Sequence, residues 1–153
     1  MRKSPPAFVV FAAVCLVLVA CNKEPKPDKK GGFVVRNEKL IEIPVVTLET
    51  QFTAEGFALN YFNGDVNETV RAGDYLILYG DYKPNALNFY QQKSGYYEQD
   101  TSKGPTTDAI TVGPMKGEKE MFKCRLTKPL PPGVYLLECT QGKASVGFPF
   151  HIE

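Results

Sequence analysis

From residue 33 to residue 153 apolar and polar positions alternate in short stretches, with no sustained spacing of three and four residues that would mark an amphipathic helix. Leu40–Ile43, Val45–Thr50, Phe57–Phe62, Tyr75–Tyr79, Leu87–Gln92, Asp108–Val112, Met121–Leu126, Val134–Cys139 and Ser145–Ile152 each read as a strand. Turn-forming residues punctuate them about every 8–12 residues, the rhythm of a sandwich or barrel of short strands. Pro44 separates the first two and suits a sheet edge. Asn63-Gly64 is a hairpin signal, and Lys93–Pro105 reads as a long exposed loop. A helix competes only over Glu118–Lys128. A strand fits that segment better, because it gathers Phe122, Cys124 and Leu126 on one side and Lys123 and Arg125 on the other.

Composition agrees with an all-β chain. Twelve prolines and 13 glycines in 153 residues leave no room for long helices. The length suits one domain. A formal net charge of +1 gives no basis for nucleic-acid binding through a strongly basic surface.

The first residues are of a different kind. Arg2 and Lys3 precede an unbroken apolar run from Ala7 to Ala20, too short for a membrane span of about 20 residues and patterned like a secretory signal. The run ends Leu18-Val19-Ala20-Cys21, which resembles the lipobox of bacterial lipoproteins. That resemblance implies cleavage before Cys21 and acylation of its thiol, with a diacylglycerol that anchors the chain to a membrane of the cell envelope. Asn22 rather than Asp follows the cysteine; by analogy with enterobacterial lipoproteins this favours the outer membrane. Residues 1–20 are then a signal peptide, and residues 21–32 a lipidated cysteine with a flexible linker. Asn22 to Gly32 has no apolar side chain but its prolines, too little to offset the entropy of ordering. Residues 33–153 form the single β domain.

Pro129-Leu130-Pro131-Pro132-Gly133-Val134-Tyr135 leads through a proline-rich turn into a strand. This Gly-x-Tyr step resembles the tyrosine corner of immunoglobulin-like sandwiches, in which the Tyr hydroxyl bonds back to nearby backbone. The chain departs from true immunoglobulin domains: it has no Trp, and Leu137 stands where their second cysteine would be. The expected fold is an immunoglobulin-like antiparallel β-sandwich, with a small β-barrel as the alternative.

With Cys15 in the signal and Cys21 lipidated, Cys124 and Cys139 remain as a pair in an oxidising compartment, where a disulfide is the default. If the two face each other across a hairpin, its centre falls between Pro131 and Pro132; a bridge between two sheets would fit as well. A closed loop of about 15 residues is worth roughly 3 kcal/mol. No Cys-x-x-Cys supports thiol redox chemistry, and two sulfurs with a distant His151 do not make a zinc site. Asn63, Asp65 and Asn67 alternate as calcium ligands would, but the spacing of a calcium loop is missing. His151 is the only imidazole, there is no Gly-x-Ser-x-Gly elbow, and no phosphate loop or dinucleotide fingerprint is present. We therefore expect no catalytic residue, metal or cofactor.

Tyrosine is unevenly placed: seven of eight lie between Tyr61 and Tyr97. Tyr82, Tyr96 and Tyr97 stand beside turn residues and are the expected contact surface, because tyrosine offers rigid amphipathic area. The expected function is a lipid-anchored, non-enzymatic binding or structural module whose partner, besides the membrane, is an envelope protein or glycan. The alternatives are an envelope inhibitor of a lysozyme or protease, for which Gly104-Pro105-Thr106-Thr107-Asp108 is similar to one loop of the chagasin-like inhibitors, and a carboxylate-dependent hydrolase.

Overall fold

The computed structural model describes residues 23–104 and 106–153; the expected signal peptide and Cys21 lie outside the described residues, as does Pro105. The described chain is all β, in thirteen strands: β1 (Gly31–Arg36), β2 (Lys39–Ile43), β3 (Val46–Thr47), β4 (Glu49–Phe52), β5 (Ala58–Phe62), β6 (Thr69–Val70), β7 (Tyr75–Tyr79), β8 (Lys83–Gln92), β9 (Tyr97–Gln99), β10 (Ile110–Pro114), β11 (Met121–Leu126), β12 (Gly133–Gln141) and β13 (Ala144–Ile152). A first antiparallel sheet has the order β10-β11-β7-β1-β2. The second follows β3-β13-β12-β8-β9-β5-β4, with β6 paired parallel to the end of β13.

Tight turns set the register. Asn37 and Glu38 both have positive φ, at 48° and 62°, which makes the two-residue turn that joins β1 to β2. β12 and β13 pair from Gly133↔Ile152 to Gln141↔Ala144, turning at Gly142 with φ of 59°. Asn63-Gly64 makes no hairpin: β5 pairs with β4 and β9, and the chain beyond Gly64 travels on to β6. The segment expected as a long loop contains β9 and a 3₁₀ turn over Thr101–Lys103.

The period-two pattern sorts side chains into three layers. Between the sheets lie Val34, Leu76, Leu78 and Cys124 from the first, and Leu87, Tyr135, Leu137, Cys139, Phe148 and Phe150 from the second. The alternate residues of the second sheet, Val46, Phe62, Tyr90, Tyr97, Val134 and Leu136, pack with Val66 on its other side. They fill a barrel-like curl. β3 and β4 stand at opposite ends of that sheet's path, yet only Leu48 separates them in the chain. One continuous segment thus pairs with β13 and then with β5, and the sheet nearly closes on itself. Both sequence-level architectures are present at once, a sandwich in which one layer is barrel-shaped. A third cluster, Val35, Ile77, Met115 and Met121 flanked by Tyr75 and Tyr79, lies on the outer face of the first sheet.

The expected corner exists: Tyr135 Oη donates to the Pro131 carbonyl at 2.8 Å. It fixes the proline-rich segment as the chain crosses from β11 in one sheet to β12 in the other. Tyr135→Phe should lower stability by about 0.5–1.5 kcal/mol, the net worth of one such bond, without loss of fold. Urea denaturation checks this; an unchanged midpoint would mean that the hydroxyl does not hold the turn.

The expected linker is shorter than residues 21–32. Gly31 and Gly32 belong to β1 and are buried, and Lys23–Lys30 lies along the domain with Pro27 buried.

Candidate functional site

At one end of the sandwich the two sheets part into a groove of about 350 Å³, within the size range of small-ligand sites. One wall is the turn from β6 into β7. Here the Asp74 amide donates to the Arg71 carbonyl at 3.0 Å, and the Arg71 amide donates back to Asp74 Oδ2 at 3.0 Å. Gly73, with φ of 88°, supplies the left-handed step the turn requires. Arg36 at the end of β1 locks this turn in place, its Nε and Nη2 donating to the same Asp74 oxygen at 3.0 and 2.8 Å and its Nη2 also to the Thr69 carbonyl. The bond to Asp74 raises the Arg36 pKa, against a smaller opposing effect of burial. The opposite wall is Leu126 to Leu130, held by the Thr127 amide on the Ala109 carbonyl at 2.8 Å and by Lys128 on Asp108 at 2.7 Å. Ile152 and Glu153 complete the lining. The apolar floor is therefore Val70, Leu126, Leu130 and Ile152, all aliphatic. The rim carries two exposed cations, Arg71 and Lys128, and one exposed anion, Glu153. Among the described residues no carboxylate side chain lies within ion-pair distance of Arg71.

A second polar arrangement lies within the curled sheet. Glu138 is buried, and its Oε1 accepts from Tyr90 Oη at 2.5 Å and from Asn88 Nδ2 at 3.0 Å. Burial first, then the charge and hydrogen bond of Glu138, push the Tyr90 pKa up. Glu138 sits where the β8–β12 register shifts, opposite a bulge that leaves Asn85 extra. The arrangement fixes register at that bulge: Tyr90 and Asn88 of β8 both donate to the one Glu138 oxygen on β12.

The three tyrosines expected to form a contact surface do not. Tyr82 is buried edge-on against Phe148, 5.0 Å between ring centroids, in the core between the sheets. Tyr97 is buried in the curl, stacked on Phe62 at 5.0 Å. Tyr96 is half-buried, edge-on to Tyr61 at 5.9 Å. β8 separates Tyr82 from the other two, and its ten residues span roughly 30 Å at about 3.3 Å each. Turn residues beside a tyrosine expose its backbone, not its ring.

The expected Cys124–Cys139 bridge is not made either. Both are free and buried, one in each sheet: the prolines between them carry the chain across the sandwich, which removes the hairpin pairing, and the two thiols do not bond across the sheets either. Burial pushes each thiol pKa up to about 12, and for Cys139 the neighbouring Cys124 and Glu138 add to it. His151 Nε2 lies 2.8 Å from the Val66 carbonyl, a structural bond that ties the β6 approach to β13.

The groove gathers residues from three segments distant in sequence, so no local motif announced it; only Pro129 and Leu130, in the proline-rich turn, stood out. Glu138 did carry a signal, a lone acid in the apolar run Val134–Cys139. Two further exposed apolar residues, Phe52 and Phe57, 76% and 68% exposed, flank the tip of the β4–β5 hairpin. Among the described residues no three His, Cys, Asp or Glu side chains come together as a metal-binding group. No family model, no curated protein and no solved structure matches this chain.

Proposed function

We propose that the chain is a lipid-anchored protein of the cell envelope, outer membrane in a Gram-negative cell, whose β domain is a non-enzymatic binding module. The observation that carries the binding role is the groove: an aliphatic floor open to solvent, with Arg71 uncommitted at its rim. That chemistry suits an aliphatic side chain followed by an acidic group, as an envelope protein would present it. The floor offers no aromatic platform for a sugar ring, which favours protein over glycan. Asp74, the acid deepest in the groove, spends one oxygen on Arg36 and the Arg71 amide. This is the arrangement of a pinned turn.

A photo-crosslinking side chain at Leu130, introduced into the protein in its native envelope, should yield a discrete adduct. The same group at Phe57 should not, and Arg71→Glu with Lys128→Glu should reduce the Leu130 adduct at least tenfold. An adduct at Phe57 and none at Leu130 would move the binding surface to the hairpin and sink the groove reading.

A further inference from the structure

Residues 24–30, expected to swing freely, are strapped to the domain by charge. Glu24 contacts Lys123, Lys26 Nζ lies 2.6 Å from Glu118, Lys29 Nζ 2.6 Å from Glu42, and Lys30 Nζ 3.9 Å from Glu120. The partners locate the path. Lys30 lies against Gly80 and Glu120, at the edge where β1 starts. Glu24 has reached Lys123, in the middle of β11. Cys124 points between the sheets, so Lys123 points away from them, to the outer face of the first sheet, where its ammonium sits 4.2 Å from the centre of the Tyr75 ring. Arg125, exposed and on the same face, is 5.1 Å from that ring. The strap therefore runs back from the start of β1 across the outer face of the first sheet.

Cys21 is three residues before Glu24, and three residues reach at most about 11 Å. The headgroup layer on each side of a bilayer is itself roughly 5–8 Å deep. A lipid on Cys21 then leaves the domain no standoff. We propose that the outer face of the first sheet is a membrane-apposed surface, resting on phospholipid headgroups with Tyr75, Tyr79, Lys26 and Arg125 toward them; this rests on the lipid-anchor reading of Cys21. The residue types suit that position. Tyrosines are at home at headgroup level, and an exposed guanidinium can take a phosphate on two donors. The groove, at the end of the sandwich, would then open sideways along the membrane.

The test uses the lipidated full chain in phosphatidylcholine–phosphatidylglycerol vesicles that carry a headgroup-attached spin label. A small fluorophore is placed at Thr111→Cys, which pairs with Arg125 on the outer face, and separately at Phe57→Cys on the β4–β5 hairpin. Flotation reports anchoring and quenching reports apposition. We expect both proteins to float, the Thr111 fluorophore to be quenched at least threefold more than the Phe57 one, and Lys26→Glu with Lys29→Glu to abolish that difference while flotation persists. Flotation with equal quenching, or stronger quenching at Phe57, overturns the membrane-apposed face alone. If the parent floats no better than Cys21→Ser, the anchor reading fails and this inference falls with it.

Discussion

Phe148→Ala is expected to destabilise the domain by about 3–5 kcal/mol, the range for emptying a fully buried aromatic site. Phe148 has no exposed surface, sits edge-on to Tyr82, and lies directly under β1. It fits there because residue 32 is glycine: a Cβ at Gly32 would come within 2.4 Å of the Phe148 ring. Gly32→Ala should therefore also destabilise, by overpacking, about 1–3 kcal/mol. The two changes are complementary, since the methyl added by Gly32→Ala would occupy space the ring vacates. The double variant should be less destabilised than the sum of the singles by about 1 kcal/mol or more. Urea denaturation of the four proteins measures this. Simple additivity would mean that Gly32 and Phe148 do not share the contact between sheets.

Stability should fall steeply above pH 9. An unfolded cysteine titrates near 9.0, whereas burial holds Cys124 and Cys139 near 12 in the folded domain. Tyr90 is shifted in the same direction. Between these values the unfolded chain has shed thiol protons that the folded chain keeps. It binds fewer protons, so the free energy of unfolding declines as pH rises. Each such group contributes a slope of up to about 1.4 kcal/mol per pH unit. Two thiols together can remove several kcal/mol by pH 11, a large part of a typical stability of about 5–15 kcal/mol. Replacing both cysteines with alanine should flatten the decline between pH 9 and 10. At pH 8 neither thiol should react with a disulfide reagent until urea unfolds the protein. Rapid labelling of the native state, a disulfide recovered under non-reducing conditions, or level stability from pH 9 to 11 would each contradict two buried thiols.

Alternation in the sequence determines which way a side chain points, and that much was legible. Lys123 and Arg125 do face away from Cys124, and Tyr135 does bond back to Pro131. Alternation cannot say which sheet a strand joins. Met121–Leu126 and Gly133–Gln141 look like the arms of a hairpin, yet they sit in different layers, so the hairpin pairing of Cys124 with Cys139 does not exist, and both thiols are free. Tyr97 sits in a stretch rich in Ser and Gly but takes a strand conformation and closes the curl against Phe62. The ordering of residues 24–30 was invisible for another reason: its partners Glu42, Glu118, Glu120 and Lys123 are supplied by tertiary structure, and local composition reads only as polar.

The closure of the second sheet has a consequence for how these molecules crowd together. The anchor proposed above would confine these molecules to a membrane and raise their local concentration, and an open β edge under such conditions is a template for strand addition between neighbours. Because Val46 to Phe52 pairs with β13 at one end and with β5 at the other, the two terminal strands of that layer are one short segment, and its open edges are the brief β3 and β4. The other sheet ends in the short β2 and β10, the first bearing Lys39 and Glu42 and the second ending in Pro114. Charge and proline both discourage edge pairing. Short, charged and proline-ended edges of this kind disfavour polymerisation through the sheets.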